Sequence, residues 1–140
     1  MDTGRYNVLL VDDDVVQIDL ARRGAAESCP GIILTTVGSG DAVLDWFSAS
    51  VDKKEPMPHI ILLDLKLPKL DGLAVLRRLR GHDAHDIPIV VFSAAYTQDE
   101  VLMSYRAGAN SFVVKPTDLA QFTELFRERL AYWMRPYQTA

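Results

Sequence analysis

The chain has 140 residues, of which 49% are hydrophobic and 24% are charged, and its formal net charge is −4. That length indicates a single domain with one core, and the acidic balance argues against a partner bound through nucleic-acid phosphates. The single cysteine excludes an internal disulfide, and no apolar run approaches the roughly 20 residues that a membrane span needs. These features predict a cytoplasmic protein.

Short apolar runs alternate with longer amphipathic segments along the chain. We predict strands at 8–11, 32–37, 60–64, 87–93 and 111–115, and helices near 15–28, 41–50, 72–80, 98–107 and 118–134. The strand segments are nearly continuous apolar runs, as expected of strands covered on both faces. The polar stretch 50–59 is typical of a long surface loop, and the basic LRRLR at 76–80 is typical of the solvated face of a helix.

Five strand–helix units predict an α/β fold, a doubly wound parallel sheet with helices on both faces. In such sheets ligands bind beyond the carboxyl ends of the strands. The residues predicted to lie there are mostly charged or polar, namely Asp12, Asp13 and Asp14 after the first strand, Asp64 at the end of the third, Ser93 at the end of the fourth and Lys115 at the end of the fifth.

Crowded carboxylates repel one another, and a hard divalent cation such as Mg²⁺ removes that repulsion. A carboxylate is also a competent nucleophile at phosphorus. Lys115 could supply counter-charge to a phosphoryl group and Ser93 a hydrogen bond. The strand ends therefore predict a site that forms an aspartyl phosphate, and Asp14 is expected to cap the first helix.

Four motifs in order carry a resemblance to a known family: LLVDDD (9–14), LLDLKLPKLDG (62–72), VVFSAA (90–95) and FVVKP (112–116). Together they resemble the receiver domain of two-component response regulators. The resemblance implies a flavodoxin-like sheet of strand order 2-1-3-4-5 with five helices, the last of them extended. It also implies a signalling protein whose only catalysis is its own phosphorylation and dephosphorylation.

The same resemblance implies the site roles. Asp64 would accept a phosphoryl group from a histidine kinase, with Lys115 as the family's lysine and Ser93 and Phe112 as switch residues. Mg²⁺ would be held by Asp12, Asp13 and Asp64, with Asp13 a direct ligand and the Lys66 backbone carbonyl a further contact. A cis peptide bond would precede Pro116.

A rival interpretation comes from the opening stretch alone. Four apolar residues followed by Asp-x-Asp-x-Val resemble the first motif of haloacid-dehalogenase-type phosphatases, in which Asp12 would be the nucleophile and Asp14 the general acid–base. That family needs a further acidic pair on a late strand, which the sequence does not offer after Lys115. It would also leave Asp64 without a role.

The C-terminal end bears on the output. We expect a receiver domain at 1–130 and an extension at 131–140, with no DNA-binding output domain. The receiver would then signal by contacting a downstream protein, or would pass its phosphoryl group to a histidine phosphotransfer protein. The long loop before the third strand and the tail LAYWMRPY resemble the small response regulators paired with bacterial phytochrome kinases.

Aromatic residues in that tail predict an interface. Exposed Tyr132 and Trp133 would form an apolar patch, which usually marks a protein contact. We therefore expect a homodimer through the last helix and tail. The alternative is that Trp133 folds back on its own domain.

Overall fold

The computed structural model describes residues 5–28, 31–53, 57–67, 71–81, 84, 86–94, 96–116 and 118–135. Strands and helices alternate in the order β1 (Tyr6–Val11), α1 (Val15–Ser28), β2 (Ile32–Val37), α2 (Gly40–Lys53), β3 (Ile60–Leu63), α3 (Gly72–Gly81), β4 (Ile89–Ser93), α4 (Gln98–Arg106), β5 (Ser111–Val114) and α5 (Leu119–Met134). Every predicted element is present. None of the helices among these residues is both long and apolar enough to cross a membrane.

The strands form one parallel sheet in the order β2-β1-β3-β4-β5, as the resemblance implied. The central strands β3 and β4 are buried along their whole length, whereas the edge strands are partly exposed. Continuous apolar runs suit the centre of such a sheet because helices cover both of its faces. The carboxyl ends of all five strands therefore meet at one edge.

Side chains alternate between the two faces of the sheet and build two cores. One core packs β-strand residues such as Leu9 and Ile61 against α2 and α3, with Phe47 at its centre. The other packs Val8 and Leu62 against α1 and α5. The residues that α5 contributes to this second core recur at helical spacing, namely Phe122, Phe126, Leu130 and Met134.

Polar side chains fix the starts of α1 and α5, and the cap at α1 is the one predicted above. Asp14 accepts from the backbone N–H of Val16 at 2.9 Å, and Asp118 accepts from that of Gln121 at 3.0 Å. These carboxylates satisfy N–H groups that have no partner within the helix. After α4 the chain turns at Gly108, whose φ of 111° is readily adopted only by glycine.

Three expectations need correction. Helix α2 continues to Lys53 and takes up the first part of the predicted 50–59 loop. The described peptide bonds include no cis bond, so the bond before Pro116 is trans, the form that X–Pro bonds usually adopt in folded proteins. The LRRLR segment forms a solvated face only in part: Arg77 and Arg78 are exposed as predicted, whereas Leu76 and Leu79 are fully buried and Arg80 bonds to backbone carbonyls.

Candidate functional site

Backbone hydrogen bonds continue past the strand ends and place the predicted site residues. The N–H of Asp12 donates to the Val37 carbonyl at 3.0 Å, and that of Asp64 donates to the Val11 carbonyl at 3.0 Å. The N–H of Lys115 donates to the Ser93 carbonyl, also at 3.0 Å. These bonds extend the strand pairing by one residue and fix the three residues at the carboxyl ends of the strands, where their side chains converge.

Lys115 is the central cation of this edge. Its Nζ lies 2.6 Å from Asp12 Oδ2 and 3.3 Å from Asp64 Oδ2. It also donates to the side-chain carbonyl of Gln17 on α1. The Lys115 side chain is almost completely buried, so the contacts replace the hydration that the ammonium loses. Gln17 was not predicted as a site residue; its position in the first turn of α1, next to the three aspartates, is the signal that could have found it.

Three carboxylates form an acidic cluster beside this lysine. Asp12, Asp13 and Asp64 each offer an oxygen, and these atoms lie within 4.8 Å of one another. Asp12 is buried and accepts from the N–H of Asp14 at 3.0 Å, whereas Asp13 is exposed. One ammonium cannot neutralise three carboxylates at this range. An all-oxygen donor set with excess negative charge fits a hard divalent cation.

Asp64 is one of the residues that line an open cleft of about 420 Å³. Its Oδ1 accepts from the Lys66 backbone N–H at 3.1 Å. Burial raises the pKa of Asp64 above its usual range, although Lys115 and the Lys66 N–H oppose that shift and Asp12 adds to it. Burial thus disfavours the charged form of Asp64 more than its neighbours favour it, and a carboxylate perturbed in this way is common at functional sites. The cleft is lined by Asp13, Asp14, Gln17, Asp64, Lys66, Ala94 and Lys115.

The loop that carries Asp64 is pressed against the start of α3. The Gly72 N–H donates to the Leu65 carbonyl at 3.1 Å. A Cβ atom placed on Gly72 would lie 2.5 Å from Leu65 Cα and 2.7 Å from the Asp64 carbonyl oxygen. No side chain fits in that space, so a glycine here lets the helix approach the loop closely.

The predicted switch residues lie on the two neighbouring strands β4 and β5. Ser93 is fully buried at the end of β4, and Phe112 is partly buried against the core on the α2 and α3 side. The Tyr96 ring packs edge-on against Phe112 with 5.6 Å between centroids. The Tyr105 hydroxyl accepts from the Phe112 N–H at 3.1 Å. The sequence analysis did not identify either tyrosine. Tyr96 precedes α4 and Tyr105 lies on it, and only the folded structure brings them into contact with Phe112.

The predicted interface residues lie elsewhere, on the last turn of α5. Trp133 is partly buried against the core on the α1 and α5 side, while Tyr132 is 55% exposed. Their rings meet edge-on, and the Arg135 guanidinium lies 5.5 Å from the Tyr132 ring centre. Trp133 therefore does pack on its own domain, and Tyr132 is the aromatic side chain that α5 presents outward at this end.

Residues 8–127 match the response regulator receiver domain family. The chain belongs to that family. Receiver domains are signalling modules that pair with histidine kinases and bind a divalent metal at their acidic pocket. The match favours the receiver interpretation over the phosphatase alternative that was built on Asp12.

Relatives of known name include small and longer regulators. The chain is 28% identical over 129 residues to the response regulator Rcp1 of Synechocystis, covering 91% of this chain and 88% of that protein. It is 36% identical over 123 residues to the transcriptional regulatory protein PrrA of Mycobacterium leprae, covering 86% of this chain. The match spans about half of PrrA, 49% of its length.

Solved structures agree with these relatives. The phosphorylated cyanobacterial phytochrome response regulator RcpA superposes with a TM-score of 0.88 at 27% identity, covering 94% of this chain and 96% of that one. The Mn²⁺-bound form of Rcp1 superposes with a TM-score of 0.84 at 28% identity, covering 96% of each chain. The predicted fold and the predicted likeness to phytochrome-associated response regulators are both confirmed.

Proposed function

We propose that this protein is a phosphorylatable response regulator in which Asp64 accepts the phosphoryl group. The observation that carries the proposal is the placement of the Asp64 carboxylate, which lines an open cleft and lies 3.3 Å from the Lys115 ammonium. Asp64 is thus accessible to a donor and already next to a cation. Of the three clustered aspartates, Asp12 is committed to Lys115 and to the start of α1, and Asp13 is the exposed one.

The reaction is a transfer from a phosphohistidine of a kinase. A carboxylate oxygen of Asp64 forms the new P–O bond while the P–N bond of the donor breaks, and the imidazole leaves as it takes up a proton. Lys115 then neutralises charge on a phosphoryl oxygen, and the Ser93 hydroxyl donates to another. The buried position of Lys115 strengthens its attraction to the phosphoryl group because few waters compete there.

A metal belongs to the same proposal. Asp12, Asp13 and Asp64, with the Lys66 backbone carbonyl, would hold Mg²⁺. When bound, this ion would offset the charge of the carboxylates and of the incoming phosphoryl oxygens. Support comes from the cluster of three carboxylate oxygens within 4.8 Å and from the Mn²⁺-bound form of the similar protein Rcp1.

The output is proposed to be a protein contact controlled by Ser93 and Phe112. A phosphoryl group adds about −1.5 to −2 charge at Asp64; Ser93 moves toward it, and Phe112 follows with the tyrosines that contact it. Exposed apolar and aromatic side chains suited to a partner lie along α4 and β5, with Tyr96 and Tyr105 in contact with Phe112 and Leu102 and Val114 further along these two elements. The likeness to RcpA and Rcp1 makes a bacteriophytochrome the proposed kinase.

Phosphotransfer from phosphoramidate, whose P–N bond stands in for phosphohistidine, tests the acceptor. Radiolabel should appear on the wild-type protein with Mg²⁺ and should be absent from Asp64→Asn. Asp45→Asn is the matched control, since it removes an exposed carboxylate on α2, and it should label like the wild type. Label that persists on Asp64→Asn would refute the assignment.

The dimer remains a separate proposal. We propose that Tyr132, together with the part of Trp133 that its own domain leaves exposed, lies at a homodimer interface, which the 55% exposure of Tyr132 supports. Tyr132→Ala leaves the buried Met134 and Leu130 in place, so the domain should still fold. Sedimentation should show a smaller mass for this variant than for the wild type, and equal masses would contradict the interface.

A further inference from the structure

Lys66 contacts two functionally different parts of the molecule, one through its backbone and the other through its side chain. Its backbone N–H donates to Asp64 Oδ1 at 3.1 Å. Its side-chain ammonium forms an ion pair with Glu100 Oε2 on α4. One residue thus joins the loop that carries Asp64 to a helix that starts after the neighbouring strand β4.

Glu100 uses its two carboxylate oxygens for different purposes. Oε1 accepts from the Thr97 N–H at 2.9 Å, and the Glu100 N–H donates to Thr97 Oγ1 at 3.1 Å. This reciprocal pair is a capping box, which fixes the first turn of α4. Oε2 pairs with Lys66. The capping role needs only a side-chain oxygen at this position, so a glutamine could fill it; the ion pair needs the charge.

The Lys66 side chain also lines the cleft above Asp64. It is half exposed and flexible, so its ammonium can reach more than one anion. A phosphoryl group on Asp64 would place new negative charge two residues from Lys66. The ammonium would then be attracted to two anions, the phosphoryl oxygens and the Glu100 carboxylate.

We propose that Glu100 is a positioning residue that draws the Lys66 ammonium toward α4 and away from Asp64, and so opposes loading of a phosphoryl group. This inference rests on the proposed acceptor role of Asp64. Binding at Asp64 weakens the Lys66–Glu100 pair, and reciprocally the pair weakens binding at Asp64. The start of α4, next to Tyr96 and the Phe112 contact, is thereby coupled to the state of the acceptor.

Beryllium fluoride with Mg²⁺ is the probe, because the beryllium–fluoride group binds a carboxylate oxygen as a phosphoryl stand-in. Glu100→Gln keeps an oxygen for the capping box and removes the charge. It should bind the probe about two- to five-fold more tightly than the wild type, the range expected for one exposed ion pair. Asp99→Asn makes the same charge change on the neighbouring, exposed residue of α4, and it should bind like the wild type.

A double-mutant cycle separates the pair from a general charge effect. Lys66→Met should weaken binding of the probe, and Glu100→Gln should then add nothing in the Lys66→Met background. Equal urea midpoints for Glu100→Gln and the wild type would show that the cap is intact. Equal binding by Glu100→Gln and Asp99→Asn, or a gain that persists without Lys66, would overturn the inference. A wild type that binds no probe at Asp64 would instead overturn the proposed function.

Discussion

Two cations lie at opposite ends of the strands of the sheet, and the balance of charge around them differs. Lys115, after the carboxyl end of β5, contacts the carboxylates of Asp12 and Asp64. Arg80, at the end of α3, is partly buried; it donates to neutral oxygens near the amino ends of β4 and β5, and the nearby Asp86 carboxylate favours its charged form. These acceptors are the carbonyls of Gly108, Ala84 and Ile87 and the side-chain oxygen of Asn110.

This difference in charge balance indicates a structural role for Arg80 and a place in the proposed site for Lys115. Arg80 gives each of its acceptors a hydrogen bond, so it completes the local bonding and ties α3 to the segments before β4 and β5. The Lys115 edge has more negative charge than its cation can balance, so it has capacity for a further cation and for a reacting group. The cleft at the Arg80 edge is larger, at about 490 Å³ against 420 Å³, but its described lining offers no carboxylate. The proposed reacting site is therefore distinguished by its charge imbalance and not by the volume of its cleft.

The largest expected effect comes from Lys115→Met. Removing one partner of a buried ion pair costs about 3–5 kcal/mol, and here it leaves Asp12 and Asp64 without their shared cation. Urea unfolding without divalent metal should show that loss. Added Mg²⁺ should recover more stability in this variant than in the wild type, and equal recovery would contradict the charge-imbalance account.

Arg80→Met tests the other edge. Its loss leaves the Gly108 and Ile87 carbonyls without a donor that the structure describes, and we expect a cost of about 2–3 kcal/mol. Mg²⁺ should not recover this loss beyond its effect on the wild type. Arg77→Met is the control on the same helix, because Arg77 is exposed, and it should change stability by less than about 0.5 kcal/mol.

The contacts around Lys115 could be predicted from the sequence and those around Arg80 could not, for a physical reason. Residues at strand ends meet by topology alone, so Asp12, Asp64 and Lys115 could be placed together before any contact was known. Arg80 lies in a run of arginines whose members differ only in direction. The helix turns Arg77 toward solvent and Arg80 toward backbone carbonyls, and those carbonyls have no sequence signature.

Other features of the site depend on contacts that only the fold makes. The Lys66–Glu100 pair joins residues 34 positions apart. Nothing in the sequence distinguishes Lys66 from the other lysines as the partner of Glu100. Gly72 ends the LLDLKLPKLDG motif (62–72), but its clash distances follow from the angle at which α3 approaches Leu65. The Lys66 carbonyl as a metal contact stays a prediction.

Gly72→Ala should have the next largest effect. The new Cβ would meet backbone atoms at 2.5 to 2.8 Å, so the Asp64 loop or α3 must shift, at about 1–3 kcal/mol. Phosphoramidate labelling of Asp64 should fall as well. Gly81→Ala, at the other end of α3, meets nothing within 4 Å and should instead stabilise the protein by about 0.4–1 kcal/mol. A change in stability of the same sign for both substitutions would contradict the close approach of α3 to the Asp64 loop.

The smallest expected effect is a gain in stability from Asp64→Asn without metal. The pKa of Asp64 is raised, chiefly because burial disfavours its carboxylate, so the folded protein holds that proton more strongly than the unfolded chain does. Asp64 therefore contributes stability below the ordinary carboxyl range and loses it as the pH rises through the raised pKa. An amide removes this loss, while Lys115 keeps Asp12 and Gln17 as partners.

Urea midpoints across pH test this sign. The advantage of Asp64→Asn should be absent near pH 3, below the ordinary aspartate pKa of 3.8, and should grow to a plateau above the raised pKa. Mg²⁺ should reduce the advantage, since metal that binds the folded wild type stabilises it in proportion to its occupancy. A variant less stable than the wild type at neutral pH without metal would mean that Lys115 more than balances the Asp64 charge. Lys115 and Arg80 would then differ only in the type of oxygen that accepts their hydrogen bonds. The Asp64 end of the sheet would have no excess negative charge with which to attract a cation.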